Sequence, residues 1–286
     1  MIKTFDQDDL KNLWKPENNS SGEDNGQVVI IGGSELFTGA PLLSLVAASR
    51  LVDMVFLATP ETDREAAEKT VLFSKLKSVI WVPRSDLEAY IQKADAILIG
   101  PGMMRFHSES TNNQIPISKQ LDEKGTETRM ITQYLLTQFP GKRWVIDGGS
   151  LQVIEPKWLP RGAVITPNGK EYEILFDEQF TIDNLQINAK KYSITIGYKS
   201  PVSYVSDGLT TYEIPGGNAG LTKGGTGDVL AGVTVGLLAK NDPLFAVSAA
   251  SLIVKKTAES LYEKVGFHFN ADDVAEKVFE TWKNLV

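Results

Sequence analysis

The sequence predicts an α/β protein: a mostly parallel central sheet with helices on both faces and an antiparallel edge. Three observations predict it. Short apolar runs alternate with helical segments as far as Tyr192, three strand-like runs then follow in quick succession, and the remainder reads as helix.

Residues 1–26 read as an N-terminal arm and linker, because 16–26 is polar and rich in Asn, Ser, Glu and Gly. Residues 27–286 read as one domain. "QVVIIGG" is a buried-type strand ending in glycines, and "APLLSLVAASRL" has helical character. "MVFLAT" is a strand; "TDREAAEKTVLFSKL" is an amphipathic helix with Thr62 as its cap. "SVIWV", "ADAILIG", "RWVIDGG" and "AVITP" continue the alternation. A parallel sheet covered on both faces requires such short continuous apolar strands. "YSITIGY", "SYVSDG" and "TTYEIP" supply the antiparallel edge, with a turn at Ser206-Asp207-Gly208. From Gly232 onward the chain is helical, broken near Asn241-Pro243 and at Gly266. Residues 104–127, "MRFHSESTNNQIPISKQLDEKGTE", are polar and irregular and read as a loop insertion.

Composition removes several function classes. The 286 residues carry a net charge of -7, which disfavours a nucleic-acid or anionic-membrane surface but allows a local basic pocket for phosphate. There is no cysteine, so disulfides, thiolate metal sites and cysteine nucleophiles are excluded. The two histidines, His107 and His268, are far apart and match no HExxH pattern. The N-terminal residues hold no apolar signal core and no run reaches membrane-spanning length, so a cytoplasmic protein is expected.

Glycine-bearing turns follow the strands: Gly32-Gly33, "IGPGM", "DGGS" and "TPNGKE". In an open α/β sheet these all fall at the ligand-binding end. The most unusual segment is "LTKGGTGDVLAG", residues 221–232. Gly224, Gly225 and Gly227 let backbone amides converge at a helix N-terminus, where the dipole favours an anion. Asp228 stands at the mouth of that hole. A carboxylate facing phosphate is repulsive in a plain binding site. It makes sense as a base that takes the proton of a hydroxyl attacking the phosphate. A helix-capping role is the other reading of Asp228. No GxxxxGK[ST] loop and no GxGxxG at the first strand–helix junction occur, which disfavours a Walker NTPase and a Rossmann dinucleotide site.

Together these residues resemble the ribokinase-like superfamily, in which a Gly-x-Gly-Asp segment forms the anion hole and supplies the base. Within it, the chain looks most like the ADP- or ATP-dependent NAD(P)H-hydrate dehydratases. "IGGSELFTGAPLLSLVAASR", "ILIGPGM", "VIDGGSL", "ITPNGKE" and "GGNAGLTKGGTGDVLAG" appear in the family's order and cover nearly everything from Val28 onward. The resemblance implies a three-layer sandwich and repair of hydrated NADH or NADPH. The nucleotide's terminal phosphoryl would go to the ring hydroxyl, and phosphate would then leave. It implies Asp228 as catalytic base and Gly225, Thr226 and Gly227 as the phosphate hole. Ala40, Gly102 and Asn168 would bind the hydrate together with Asp228. The segment Lys199, Ser200, Pro201, Val202 and Ser203 would bind the adenine nucleotide, with Asn218 and Gly227. Mg²⁺ is the implied cofactor, ADP or ATP the co-substrate, and Glu171 an indirect metal contributor. A homo-oligomer is implied, and residues 1–27 are too short for the epimerase domain sometimes fused ahead of this enzyme type.

Three departures stand against the family pattern. Asn168-Gly169-Lys170-Glu171 replaces His-Pro-Gly-Glu and resembles the Asn-x-x-Glu that ribokinase-type kinases use near magnesium. Asp147-Gly148-Gly149 replaces Asp-Ala-Asp, so one carboxylate is missing; Asp147 is read either as an indirect metal contributor or as a helix cap. Lys199-Ser200 replaces Lys-Gly. A small-molecule kinase of the same superfamily, acting on a sugar, vitamin or hydroxymethyl compound, is therefore the alternative function. A regulator without activity is disfavoured by Asp228 itself, since a pure binder has little use for that carboxylate.

Overall fold

The structure is a computed structural model that describes residues 2–59, 76–105 and 123–285. Ten strands form one sheet: β1 (Ile2–Thr4), β2 (Gln27–Ile31), β3 (Met54–Ala58), β4 (Val79–Trp81), β5 (Ala96–Ile99), β6 (Arg143–Ile146), β7 (Val164–Ile165), β8 (Thr195–Tyr198), β9 (Ser203–Ser206) and β10 (Thr211–Ile214). Their order is β1-β10-β9-β8-β7-β6-β5-β2-β3-β4. Only β9 runs against its neighbours; β1 pairs parallel to β10 and closes that edge.

The strands are apolar because both faces are covered. Val28, Ile30, Leu57, Leu98 and Val145 point into one core. The residues between them, Val29, Ile31, Phe56, Ile97, Trp144 and Ile146, point into the other. The first core is roofed by helices α1 (Gly39–Ala48), α7 (Thr226–Leu238), α8 (Pro243–Val265) and α9 (Ala271–Lys283). The second is roofed by α2 (Leu87–Lys93), α3 (Glu123–Gln138), α4 (Gly148–Leu151), α5 (Gly169–Phe176) and α6 (Ile182–Tyr192). Phe5, Leu10 and Leu13 of the N-terminal arm are buried in the first core. No helix among the described residues is long and apolar enough to cross a membrane.

The breaks expected in the C-terminal helices occur where their chemistry dictates. Asp242 caps α8 through Leu244 N and Phe245 N, with Pro243 at its first position, and Gly266 ends it. Asn270 and Asp273 form a capping box that starts α9. One expectation is corrected: the insertion expected over 104–127 is helical from Glu123. Its residues 106–122, with His107, lie outside the described residues. So does nearly all of the helix expected over 62–76, with Thr62.

Helices α1 and α7 touch backbone to backbone. A Cβ on Gly232 would lie 2.3 Å from the Ser44 carbonyl oxygen and 2.6 Å from its Cα. Neither atom can give way without moving a helix. Gly232→Ala is expected to destabilise the chain by about 3 kcal/mol, read as a fall in the urea midpoint at unchanged slope.

Candidate active site

The strand order reverses between β2 and β5, so β2 lies beside both β3 and β5. The crevice outside the carboxyl ends at such a switch point is where open α/β sheets bind ligands. There the structure has a cavity of about 980 Å³. One wall is the turn after β5 and the start of α1, with Gly102, Phe37 and Ala40. The floor is Asp147, Asn168, Glu171 and Lys199. The far wall is Ser200, Pro201, Ser203, Gly217 and Asn218, and the glycine-rich turn with Asp228 closes the remaining side.

Gly225 is the N-cap of α7 with φ 93°, a conformation open to glycine and strained for a side chain. A Cβ there would also stand 2.8 Å from the Ala271 Cβ. Thr226, Gly227 and Asp228 form the first turn of α7, where backbone amides have no intrahelical acceptor. The Thr226 hydroxyl faces back into the loop and donates to the carbonyls of Leu221 (2.6 Å) and Lys223 (2.9 Å). It closes the turn together with Thr226 N, which donates to Lys223 O at 3.4 Å, and Gly227 and Asp228 line the cavity beside it. Asp228 is the third residue of α7 and not its cap. Its carbonyl accepts from the Ser44 hydroxyl at 2.7 Å, which ties this turn to α1.

Beneath Asp228 lies a charged cluster built by strand pairing. The β7–β8 ladder continues as a bridge between Asn168 and Lys199, with Lys199 N donating to Pro167 O at 2.8 Å. That register brings Lys199 Nζ to 2.8 Å from Asp147 Oδ1 and 3.5 Å from Glu171 Oε2. Thr166 also donates to Asp147 Oδ1, at 2.9 Å. Asp147 precedes α4 but makes no side-chain cap bond, so the helix-cap reading is corrected: its carboxylate is an ion-pair partner. The Asn168–Glu171 pair has a structural role beside its place in the cavity lining. It is a reciprocal capping box on α5, with Glu171 N donating to Asn168 Oδ1 at 3.0 Å and Asn168 N to Glu171 Oε2 at 2.8 Å.

Three carboxylates thus surround one ammonium. Burial pushes Asp228 up to about 7; the charge on Asp147 adds to this, Lys199 opposes it and Glu171 adds again. Burial also raises Glu171, against the pull of Lys199. For Lys199, burial works against the charge, but Asp147 and Glu171 outweigh it and hold the group above its ordinary range.

The other expected residues divide. Ala40, Gly102, Asn168, Lys199, Ser200, Pro201, Ser203, Asn218 and Gly227 all line the cavity. Val202 is not among the lining residues and is 38 % exposed; it lies in the bend between β8 and β9. Asn218 Nδ2 donates to Ala258 O at 2.7 Å and its Oδ1 accepts from Gly220 N at 2.9 Å. Two residues around the site escaped the sequence reading, Ser44 behind the Asp228 turn and Lys255 in the cavity lining. Ser44 gave no signal; Lys255, inside the apolar run "SLIVKK", did.

Among the described residues no cluster of three or more His, Asp or Glu could hold a metal ion. Asp147 and Glu171 both face the cavity, but both are countered by Lys199. That donor set does not make a protein cage. It fits Mg²⁺ carried on nucleotide phosphates with its remaining positions filled by water.

A family model described as NAD(P)H-hydrate dehydratase matches residues 28–280. The chain belongs to the NAD(P)H-hydrate dehydratase family. It is 31 % identical over 298 residues to the bifunctional NAD(P)H-hydrate repair enzyme of Hyperthermus butylicus, covering 96 % of this chain and 50 % of that protein. The chain therefore spans about half the length of that relative. It is 29 % identical to the ADP-dependent (S)-NAD(P)H-hydrate dehydratase of Cenarchaeum symbiosum, covering 88 % of this chain and 87 % of the relative. In structure it is similar to a ribokinase-like superfamily protein from Enterococcus faecalis, with a TM-score of 0.83 at 22 % identity over 100 % of this chain and 96 % of that one. This family member has the ribokinase-like fold.

Proposed function

We propose that the chain dehydrates hydrated NADH or NADPH, a lyase reaction driven by ADP or ATP, in the cytoplasm. The observation that carries the reading is the place of Asp228, a half-buried carboxylate lining the cavity in the glycine-rich first turn of α7 beside the Lys199 cluster, within a chain of this family.

The chemistry follows from that geometry. Hydroxide is a poor leaving group and phosphate a good one. The ring hydroxyl attacks the terminal phosphorus of the nucleotide while Asp228 takes its proton. The bond from that phosphorus to the bridging oxygen breaks, and AMP leaves from ADP, or ADP from ATP. First-turn amides of α7 and the Lys199 ammonium meet the charge that develops on the phosphoryl oxygens. Mg²⁺ on the nucleotide would neutralise further phosphate charge. The ring carbon–oxygen bond then breaks with its electron pair going to phosphate. The ring nitrogen's lone pair fills the deficit, and loss of a proton from the adjacent carbon restores the double bond. Ala40, Gly102 and Asn168 border the hydrate in this reading. Ser200, Pro201, Ser203 and Asn218 border the nucleotide.

The kinase alternative drew its support from Asn168 and Glu171 as a magnesium motif. Their capping box supplies another reason for both residues, which weakens that support. The discriminating experiment supplies hydrated NADH with ADP or ATP and follows NADH absorbance. Recovery of NADH with equimolar phosphate is expected. A stable phosphorylated product would mean a kinase.

A pH profile checks the base. Asp228 must be ionised to accept a proton, so kcat/KM, which reports the free enzyme, should rise with pH to a plateau, with its midpoint at about 7. A midpoint near the ordinary aspartate value, about 4, would remove Asp228 from that role.

A further inference from the structure

Lys255 is the least expected residue in the helical layer. It follows Leu252, Ile253 and Val254, all buried, and is itself only 5 % exposed. Its Nζ donates to three backbone carbonyls: Pro201 at 2.6 Å, Ile214 at 2.8 Å and Ser200 at 3.3 Å. An ammonium has three protons, so these acceptors use all of them. They belong to two separate stretches of chain. Ser200 and Pro201 lie in the loop after β8, and Ile214 ends β10 just before the turn at Gly216 and Gly217. The lysine stem passes under that turn, 3.0 Å from where a Gly217 Cβ would stand. One turn further along α8 the helix also holds the 214–218 turn. Glu259 Oε1 accepts from Gly217 N at 2.8 Å, and Ala258 O accepts from Asn218 Nδ2 at 2.7 Å.

Burying an ammonium is costly, and a methionine would fill the same volume among these apolar neighbours without that cost. Packing therefore does not explain the charge. What the charge does is hold the Ser200 and Pro201 carbonyls against the end of β10, beyond the last β9–β10 pair of Ser203 with Ile214. Both stretches border the cavity, and the lysine itself lines it between them.

We infer that Lys255 is a positioning residue for the adenine nucleotide: its ammonium fixes the spacing between the 200–203 loop and the 214–218 turn, the two walls between which the nucleotide lies. This rests on the reading of that half of the cavity as the nucleotide site. Lys255 takes no part in proton or phosphoryl transfer, so its removal acts on nucleotide affinity and leaves the chemical step alone.

The test compares the wild-type chain with Lys255→Met and Lys255→Gln. ADP and ATP are titrated calorimetrically into each, and steady-state constants are measured for nucleotide and hydrate. The Met variant should bind nucleotide roughly ten- to a hundredfold more weakly, the loss of a charged hydrogen-bonding group. Its nucleotide KM should rise in step, while kcat at saturating nucleotide stays within about twofold. The Gln variant keeps two donors and should lie between; it decides the matter if the Met variant does not fold. A folded variant that binds ADP and ATP as tightly as the wild type would overturn the inference. So would a fall in kcat with nucleotide affinity intact. A wild-type chain that binds neither nucleotide would instead overturn the reading of the site, and this inference with it.

Discussion

Asp228→Asn is expected to lower kcat by about a thousandfold, the scale of a lost general base. The substitution keeps the side chain's size, so the first turn of α7 and its Ser44 tie are retained. The amide cannot accept the hydroxyl proton, and it removes a negative charge that repels the nucleotide phosphates. The dissociation constant for ADP or ATP should therefore stay level or fall. The combination is diagnostic. A carboxylate that only complements the helix dipole would cost about 1 kcal/mol of stability when neutralised and would leave the rate alone. Single-turnover kinetics beside a nucleotide titration separates the two, and near-normal turnover in a folded variant would remove Asp228 as the base.

Lys199→Met has the second largest expected effect, and it acts in two ways. On catalysis, it withdraws the ammonium nearest the floor of the cavity, and kcat/KM should fall by about a hundred- to a thousandfold, as for one lost transition-state donor. The surviving activity should have a pH midpoint above that of the wild type, because Lys199 is the charge that holds Asp228 down. On stability, Asp147 and Glu171 lose the partner at 2.8 Å and 3.5 Å. Leaving buried carboxylates without a counter-charge costs about 3–5 kcal/mol near neutral pH. The sign of its pH dependence follows: burial already raises Glu171, and without the pull of Lys199 its folded-state pKa lies further above its unfolded value. The folded state then holds its protons as pH falls, and the deficit shrinks toward about pH 4. Chemical denaturation at neutral and at acid pH measures that change. A deficit that stayed constant or grew on acidification would mean the ammonium does not balance these carboxylates.

The parts of this protein legible in the sequence are those decided by neighbours along the chain. The strands were readable because residues such as Val28 and Val29 both need cover, one on each face of the sheet. The α8 and α9 boundaries were readable from Asp242-Pro243, Gly266 and Asn270, whose chemistry acts within one turn. The anion turn was readable because glycines at 224, 225 and 227 have no packing use that would explain them jointly. The parts that were misread depend on partners distant in sequence. Asp147 looked like a cap because Lys199, 52 residues away, reaches it only through the β7–β8 register. Asn168 and Glu171 are the reverse case. Asn-x-x-Glu before an apolar run is a local capping signature, legible without any distant partner. Val202 belongs to the nucleotide segment as part of a contiguous motif, and the bend at 200–202 leaves it outside the cavity lining. Lys255 was legible as a charge inside an apolar run, but its three acceptors come from two loops that only the folded sheet brings together.

The central claim is that the ring hydroxyl, activated by Asp228, accepts the nucleotide's phosphoryl group before it leaves. The most direct measurement starts from NADH hydrate carrying heavy oxygen in that hydroxyl and finds the label by mass spectrometry after turnover with ADP or ATP. Phosphoryl transfer to the hydroxyl followed by carbon–oxygen cleavage places the label in the released phosphate. Label recovered in water, with none in phosphate, would mean that the hydroxyl departs without ever being phosphorylated, and would contradict the account.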